Sequence, residues 1–185
     1  YLYGENNKPH AMTSSTEQVA SQSASYAIFS DSLAPGWTDA SYGNTTNTYT
    51  TNAAQVYEGT TGIASDIGQF GGLNFQAPNG TTTNTYNTLH FALKASQANQ
   101  QYEVYIDTVY GQPLTTPVSL ANYGGQPTTS EWKVYNIPLA DLGGINITLC
   151  DVVIHDSTDS DQPVVYVDDV KLKVSNSIAY TIWDE

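Results

Sequence analysis

The sequence predicts an all-β fold, an antiparallel sandwich of two sheets, and three observations predict it. Apolar residues recur with a period of two. Leu89, Phe91 and Leu93 oppose His90, Ala92 and Lys94, and Tyr102, Val104 and Ile106 oppose Glu103, Tyr105 and Asp107. Turn chemistry separates these runs at Pro35-Gly36, Gly71-Gly72, Pro78-Asn79-Gly80, Gly124-Gly125 and Gly143-Gly144. The composition then favours strands over helices: 14 Tyr stand against 4 Phe, only 12% of the 185 residues are charged, and Thr, Ser, Asn and Gln take the place of the missing charge.

Taken in order, residues 1–25 are polar and without period, with Ser14-Ser15-Thr16-Glu17 and Ser21-Gln22-Ser23 typical of a linker or arm. Strands are expected near 26–30, 53–58, 62–67, 71–76, 86–95, 101–108, 131–139, 147–155 and 163–174. Leu139 to Leu142 supports a single helical turn at most. Residues 175–185 form an extension in which Ile178 to Glu185 is a further strand-like run. The organisation is thus an arm (1–25), a β-sandwich (26–174) and an extension (175–185), a single domain in size. Its expected core includes Phe91, Val104, Ile106, Trp132, Val170 and Leu172.

The charge balance excludes several functions. Eighteen acids face five bases, all of them Lys, for a net charge of −13. Such a surface repels phosphate backbones, and without Arg it has no bidentate phosphate fork. Nucleic acid and anionic membranes are not expected partners. No apolar run nears the length of about 20 residues that a membrane helix needs. One cysteine, Cys150, excludes an internal disulfide framework and reads as a buried thiol. Three N-glycosylation sequons begin at Asn44, Asn79 and Asn146, a number composition alone would give. The start at Tyr1-Leu2-Tyr3 suits a mature secreted form or a segment of a longer protein. The expected location is outside the cell.

From Phe29 to Val174 the chain resembles the β-jelly-roll carbohydrate-binding modules appended to secreted polysaccharide-degrading enzymes. The pieces that carry the likeness come in order. They are Ile28-Phe29-Ser30-Asp31-Ser32-Leu33 with Gly36-Trp37, then Val56-Tyr57-Glu58-Gly59-Thr60-Thr61-Gly62-Ile63, then Phe70-Gly71-Gly72-Leu73-Asn74-Phe75. Tyr86 to Phe91, the strand Tyr102 to Asp107, the tryptophan strand Glu131 to Leu139 and the closing strand Val165 to Leu172 follow. The order of these pieces is the stronger signal, and fold alone does not fix function.

Asp168 shares a face with Tyr166, Val170, Leu172 and Val174, where an unpaired carboxylate is costly. A cation or several hydrogen-bond donors must offset that cost. The resemblance implies a structural Ca²⁺ held by Asp168, by the early acids Asp31 and Glu58, and by backbone carbonyls. The alternative is an Asp bonded to water or to backbone N–H groups.

Sugar rings stack their C–H faces on aromatic rings while their hydroxyls pair with polar side chains. Trp37, after Pro35-Gly36, suits either stacking or loop anchoring. Tyr42, Phe70, Tyr110 and Tyr123 are candidates for a rim, and His90, Tyr105, Asp107 and His155 for a polar floor. Trp132 matches a structural position of the resembled family. Glu103 and Asp107 sit at i,i+4 on one strand, about 13 Å apart at ~3.3 Å per residue, too far to cooperate without strong convergence. There is no nucleophile elbow, and a three-His site would need His10 from the arm. The expected function is non-catalytic binding of a neutral glycan. The alternative is a structural subunit of an extracellular filament, sheath or matrix, self-associating by strand addition through 1–25 and 178–185.

Overall fold

The computed structural model describes residues 24–109 and 111–174. Within them the fold is two antiparallel sheets packed face to face, with no helix beyond two 3₁₀ turns. The antiparallel sandwich expected from the alternation is what forms.

The strands are β1 (Ser25–Ser30), β2 (Ser32–Leu33), β3 (Thr38–Asp39), β4 (Thr46–Thr50), β5 (Gly62–Asp66), β6 (Gly72–Thr82), β7 (Thr88–Ala95), β8 (Tyr102–Asp107), β9 (Val118–Ser119), β10 (Lys133–Pro138), β11 (Thr148–Asp156) and β12 (Val165–Lys173). One sheet runs β10-β7-β12-β1-β2. The far edge of β12 is shared: β5 pairs with Val165–Val167, β1 with Val170–Lys173, and β4 adds outside β5. The other sheet runs β3-β6-β11-β8-β9.

One expected strand differs. Residues 53–58 do not extend: Asn52 caps a 3₁₀ turn over Ala53–Gln55 by accepting the Ala54 N–H. Their place is taken by β4, Thr-Asn-Thr-Tyr-Thr, an edge strand largely exposed on both faces and so without alternation to announce it. Leu139–Gly143 makes hydrogen-bonded turns rather than a helix.

The core lies between the sheets. Phe91, Val104, Ile106, Val170 and Leu172 are buried in it as expected. Trp132 is not, which corrects the sequence reading. The inward parity of β10 belongs to Tyr135 and Ile137, so Trp132 is half-buried on the outside against Tyr57, ring centroids 5.7 Å apart. Trp37 is the buried tryptophan, 5% exposed, its Nε1 donating to the Tyr26 hydroxyl at 3.4 Å. Cys150 is half-buried, and burial together with Asp151 and Asp107 pushes its thiol up. The arm, apart from residues 24–25, the extension beyond Val174, and therefore the expected strand addition through 1–25 and 178–185, lie outside the described residues.

Candidate functional site

The outer face of the five-stranded sheet is a grid set by register. Asp151, Val153 and His155 of β11 stand opposite Gln76, Asn74 and Gly72 of β6 on one side. On the other side they stand opposite Asp107, Tyr105 and Glu103 of β8. Alternation sends Leu73, Phe75, Val104, Ile106, Val152 and Ile154 to the core, so these nine positions face away from it. Three rows result: Gly72–His155–Glu103, Asn74–Val153–Tyr105 and Gln76–Asp151–Asp107.

Residues 38–42 continue the edge beside β6, with Ala40 N–H donating to Asn74 O and Tyr42 N–H to Gly72 O. The Tyr42 ring lies over Gly72: a Cβ added there would stand 3.0 Å from the ring and 2.8 Å from Val153 Cγ1. Only a bare glycine leaves that space. The Tyr42 hydroxyl thereby reaches that of Tyr105 at 2.7 Å. Burial, then the bond to Tyr42, raises the Tyr105 pKa, so this hydroxyl keeps its proton. Tyr42, Asn74, Tyr105, Asp107 and Gly111 line a cavity of about 250 Å³ open to solvent.

Its floor is rich in acceptors. Asp151 Oδ1 receives the Asn74 amide at 2.8 Å and the Gln76 amide at 3.1 Å, while Oδ2 has no partner. Neither oxygen of Asp107 closes a hydrogen bond of ordinary geometry, and the side chain is 1% exposed. Burial pushes the Asp107 pKa up to about 7, with the facing Asp151 adding to the rise and the amides of Gln112 and Gly111 opposing it. In the next row His155 Nδ1 is 3.1 Å from Glu103 Oε1, and its ring lies 6.3 Å from that of Tyr42 and 6.1 Å from that of Tyr105.

Of the candidates read from sequence, Tyr42, Tyr105, Asp107 and His155 are thus brought together. Phe70, 56% exposed with φ +54°, leads by way of Gly71 into Gly72 at the end of the same face. The sequence reading is corrected at His90 and Trp37. His90 belongs to the opposite sheet, where its ring nitrogens meet Asn136 Oδ1 at 2.8 Å and Asp169 Oδ2 at 2.9 Å. Tyr123 sits in a 3₁₀ turn, its hydroxyl donating to Asp141 Oδ2 at 2.8 Å. Trp37 is in the core and offers no face to a ligand. Tyr110 lies outside the described residues. Sequence reasoning missed Asn74, Gln76 and Asp151, although Asp151 shares the parity of His155 and that signal was available. Asn44, Asn79 and Asn146 are all exposed.

Asp31, Glu58 and Asp168 do not assemble as a calcium cage. Asp168 Oδ2 accepts the N–H groups of Tyr57 at 2.8 Å and Glu58 at 3.1 Å, and Oδ1 accepts its neighbour's amide, Asp169 N, at 2.7 Å. Burial raises its pKa and these three donors pull it back. Asp31 Oδ1 accepts Thr60 N at 2.5 Å and Thr61 N at 2.7 Å, which lowers its pKa. The donors facing both carboxylates are N–H groups where calcium requires oxygens, and the Glu58 carboxylate is exposed. The two aspartates pin the 57–61 loop from either end, where the edge of β12 passes from β5 to β1. Among the described residues, no three His, Cys, Asp or Glu side chains form a metal-holding group.

A family model, the expansin-like protein C-terminal domain, matches residues 28–175. No curated protein matches the chain. Among solved structures, a mutant family 29 carbohydrate-binding module complexed with cellulohexaose aligns with a TM-score of 0.55 at 11% identity, over 83% of this chain and 92% of that one. A second family 29 mutant aligns with a TM-score of 0.56 at 10% identity, over 86% and 98%. The family 11 module of a cellulosomal cellulase of Clostridium thermocellum aligns with a TM-score of 0.54 at 13% identity, over 85% and 98%. The shared feature is the fold, the β-jelly roll of carbohydrate-binding modules.

Proposed function

The chain belongs to the family of expansin-like protein C-terminal domains, and from that premise we propose that it is a non-catalytic, extracellular module that binds a neutral polysaccharide on the outer face of its five-stranded sheet. The observation that carries this reading is the hollow beneath the Tyr42–Tyr105 bond. Two phenol rings and the His155 ring stand beside Asn74, Asp107 and Asp151, each of which carries an acceptor oxygen without a hydrogen bond of ordinary geometry. A sugar offers what such a surface lacks, with hydroxyl donors for the acceptor oxygens and C–H faces for the rings. The solved modules of like fold include one complexed with cellulohexaose and one with mannohexaose. A neutral chain also avoids repulsion by a face rich in carboxylates.

The carboxylates do not suit glycoside hydrolysis. Asp107 and Asp151 stand directly opposite one another on paired strands and are 1% and 0% exposed, so no scissile bond can pass between them. Glu103, the other acid of β8 on this face, is engaged by His155.

Affinity electrophoresis in soluble glucan, mannan and xylan tests the proposal. Retardation by at least one of them, reduced in Tyr105→Ala and unchanged in the loop variant Tyr57→Ala beside Trp132, is the expected result. Equal migration of all three proteins in every gel rejects the site, and filament formation without glycan binding favours a structural subunit.

A further inference from the structure

The five-stranded sheet carries charge of one sign. Its strands hold Asp39, Glu103, Asp107, Asp151 and Asp156. Every lysine among the described residues, Lys94, Lys133, Lys171 and Lys173, lies on the other sheet. The imbalance is sharpest at the hollow. Asp107 and Asp151 face one another on paired strands, 1% and 0% exposed, with no cationic side chain bonded to either.

The oxygens there are also short of donors. Both oxygens of Asp107, Oδ2 of Asp151 and Oδ1 of Asn74 are buried without a hydrogen bond of ordinary geometry, and the Gln112 and Gly111 amides near Asp107 do not offset its burial. Asn74 is 1% exposed and lines the cavity, and because its Nδ2 is engaged by Asp151 its carbonyl oxygen is the end left over. These acceptor oxygens belong to neighbouring residues of β6, β8 and β11, Asn74 bonded to Asp151 and Asp151 opposite Asp107. A hydroxyl-bearing ligand satisfies lone pairs but brings no charge to two facing buried carboxyls, which without a counter-ion cannot both ionise freely. A hard cation supplies ligation and charge together.

We propose that Asp107, Asp151 and Asn74 form a binding site for a divalent cation of the calcium class on the floor of the hollow. Calcium takes six to eight oxygens in flexible geometry; the chain offers four, and the open cavity admits water for the rest. Carboxylate and amide oxygens are hard donors, which disfavours zinc and copper, and the imidazole in the neighbouring row is bonded to Glu103. The site differs from the Asp168 loop, where N–H donors occupy the carboxylates.

The test is titration of chelator-stripped protein with calcium chloride at pH 8, by calorimetry and by terbium luminescence sensitised through Tyr42 and Tyr105. One saturable site is expected, with a dissociation constant on the order of 10⁻⁴ to 10⁻³ M, as in extracellular calcium modules. Asp107→Asn and Asp151→Asn each weaken it at least about tenfold, while Asp39→Asn, at an exposed acid on the sheet edge, leaves it intact. Both amide variants keep the side-chain shape and relieve a buried charge, so circular dichroism and melting confirm that they fold. Absence of saturable binding at millimolar calcium overturns the site, as does binding that survives both substitutions. Glycan binding is measured separately in chelator: calcium binding without glycan binding rejects the proposed function and keeps the site, and the converse does the reverse.

Discussion

The hydroxyl of Tyr42 meets that of Tyr105 at 2.7 Å after crossing two strands of the five-stranded sheet. The crossing is possible because Gly72 presents no side chain beneath the Tyr42 ring. Both tyrosines line the hollow with Asn74 and Asp107, and Asp151 lies between these two on β11. Two variants isolate it. Tyr105→Phe removes the bond alone and should cost about 1 kcal/mol of stability. Gly72→Ala pushes the Tyr42 ring aside and should cost about 1–3 kcal/mol by overpacking. Both should lower glycan affinity in electrophoresis. Affinity unchanged in Gly72→Ala would show that the position of Tyr42 does not matter.

How much of this was legible in the sequence depends on how each residue advertises its side. The alternation of Leu89 to Leu93 and of Tyr102 to Asp107 placed β7 and β8 correctly, and with them Tyr105 and Asp107. Parity failed where a large apolar residue faces outward. Trp132 precedes a strand whose inward positions are Tyr135 and Ile137, and its likeness to the resembled family's tryptophan strand assigned it to the core. His90 alternates as His155 does, but parity cannot say which sheet a strand joins, and β7 joined the other one. The Asp107–Asp151 pairing was out of reach for a different reason: it is a contact across 44 positions set by strand order, which no local pattern encodes.

The two tryptophans should therefore exchange the roles their sequence contexts suggest. Trp37→Ala empties a core position and loses a bond to Tyr26, so it should cost about 3–5 kcal/mol. Trp132→Ala removes only a half-buried contact with Tyr57 and should cost far less. Urea denaturation of the pair decides the order. A larger loss from Trp132→Ala would restore it to the core.

Asp168 should act as a backbone clamp. Asp168→Ala leaves the N–H groups of Tyr57, Glu58 and Asp169 without their acceptor, a loss on the order of 3 kcal/mol. That loss should be equal in calcium and in chelator, because the partners removed are N–H groups. A calcium site at Asp168 would instead make the substitution less costly in chelator, where the wild type has already lost the ion. Gly59→Ala tests the same loop from its other end. The residue has φ +73°, and an added Cβ would stand 2.4 Å from the Asp31 carboxylate, so melting should fall as the loop is pushed off Asp31.

Asp107 should give the metal-free domain a pH dependence of defined sign. Its pKa of about 7 in the folded state exceeds the ordinary unfolded value of about 3.9, so between those two values the native state holds a proton that the unfolded chain has released. Stability from this group is complete below pH ~4 and is lost as pH rises through ~7, with a slope of at most about 1.4 kcal/mol per pH unit. The groups that set the shift are burial, the facing Asp151 and the Gln112 and Gly111 amides, so the effect is local to the hollow. Asp107→Asn cannot ionise. In chelator, its denaturation midpoint should match the wild type near pH 4 and exceed it by pH 8. The difference between the two proteins is the quantity to measure, because acids remote from the hollow contribute equally to both. Parallel curves across that range would mean that Asp107 ionises as an ordinary solvated carboxylate, and the charge repulsion assigned to its pairing with Asp151 would be absent.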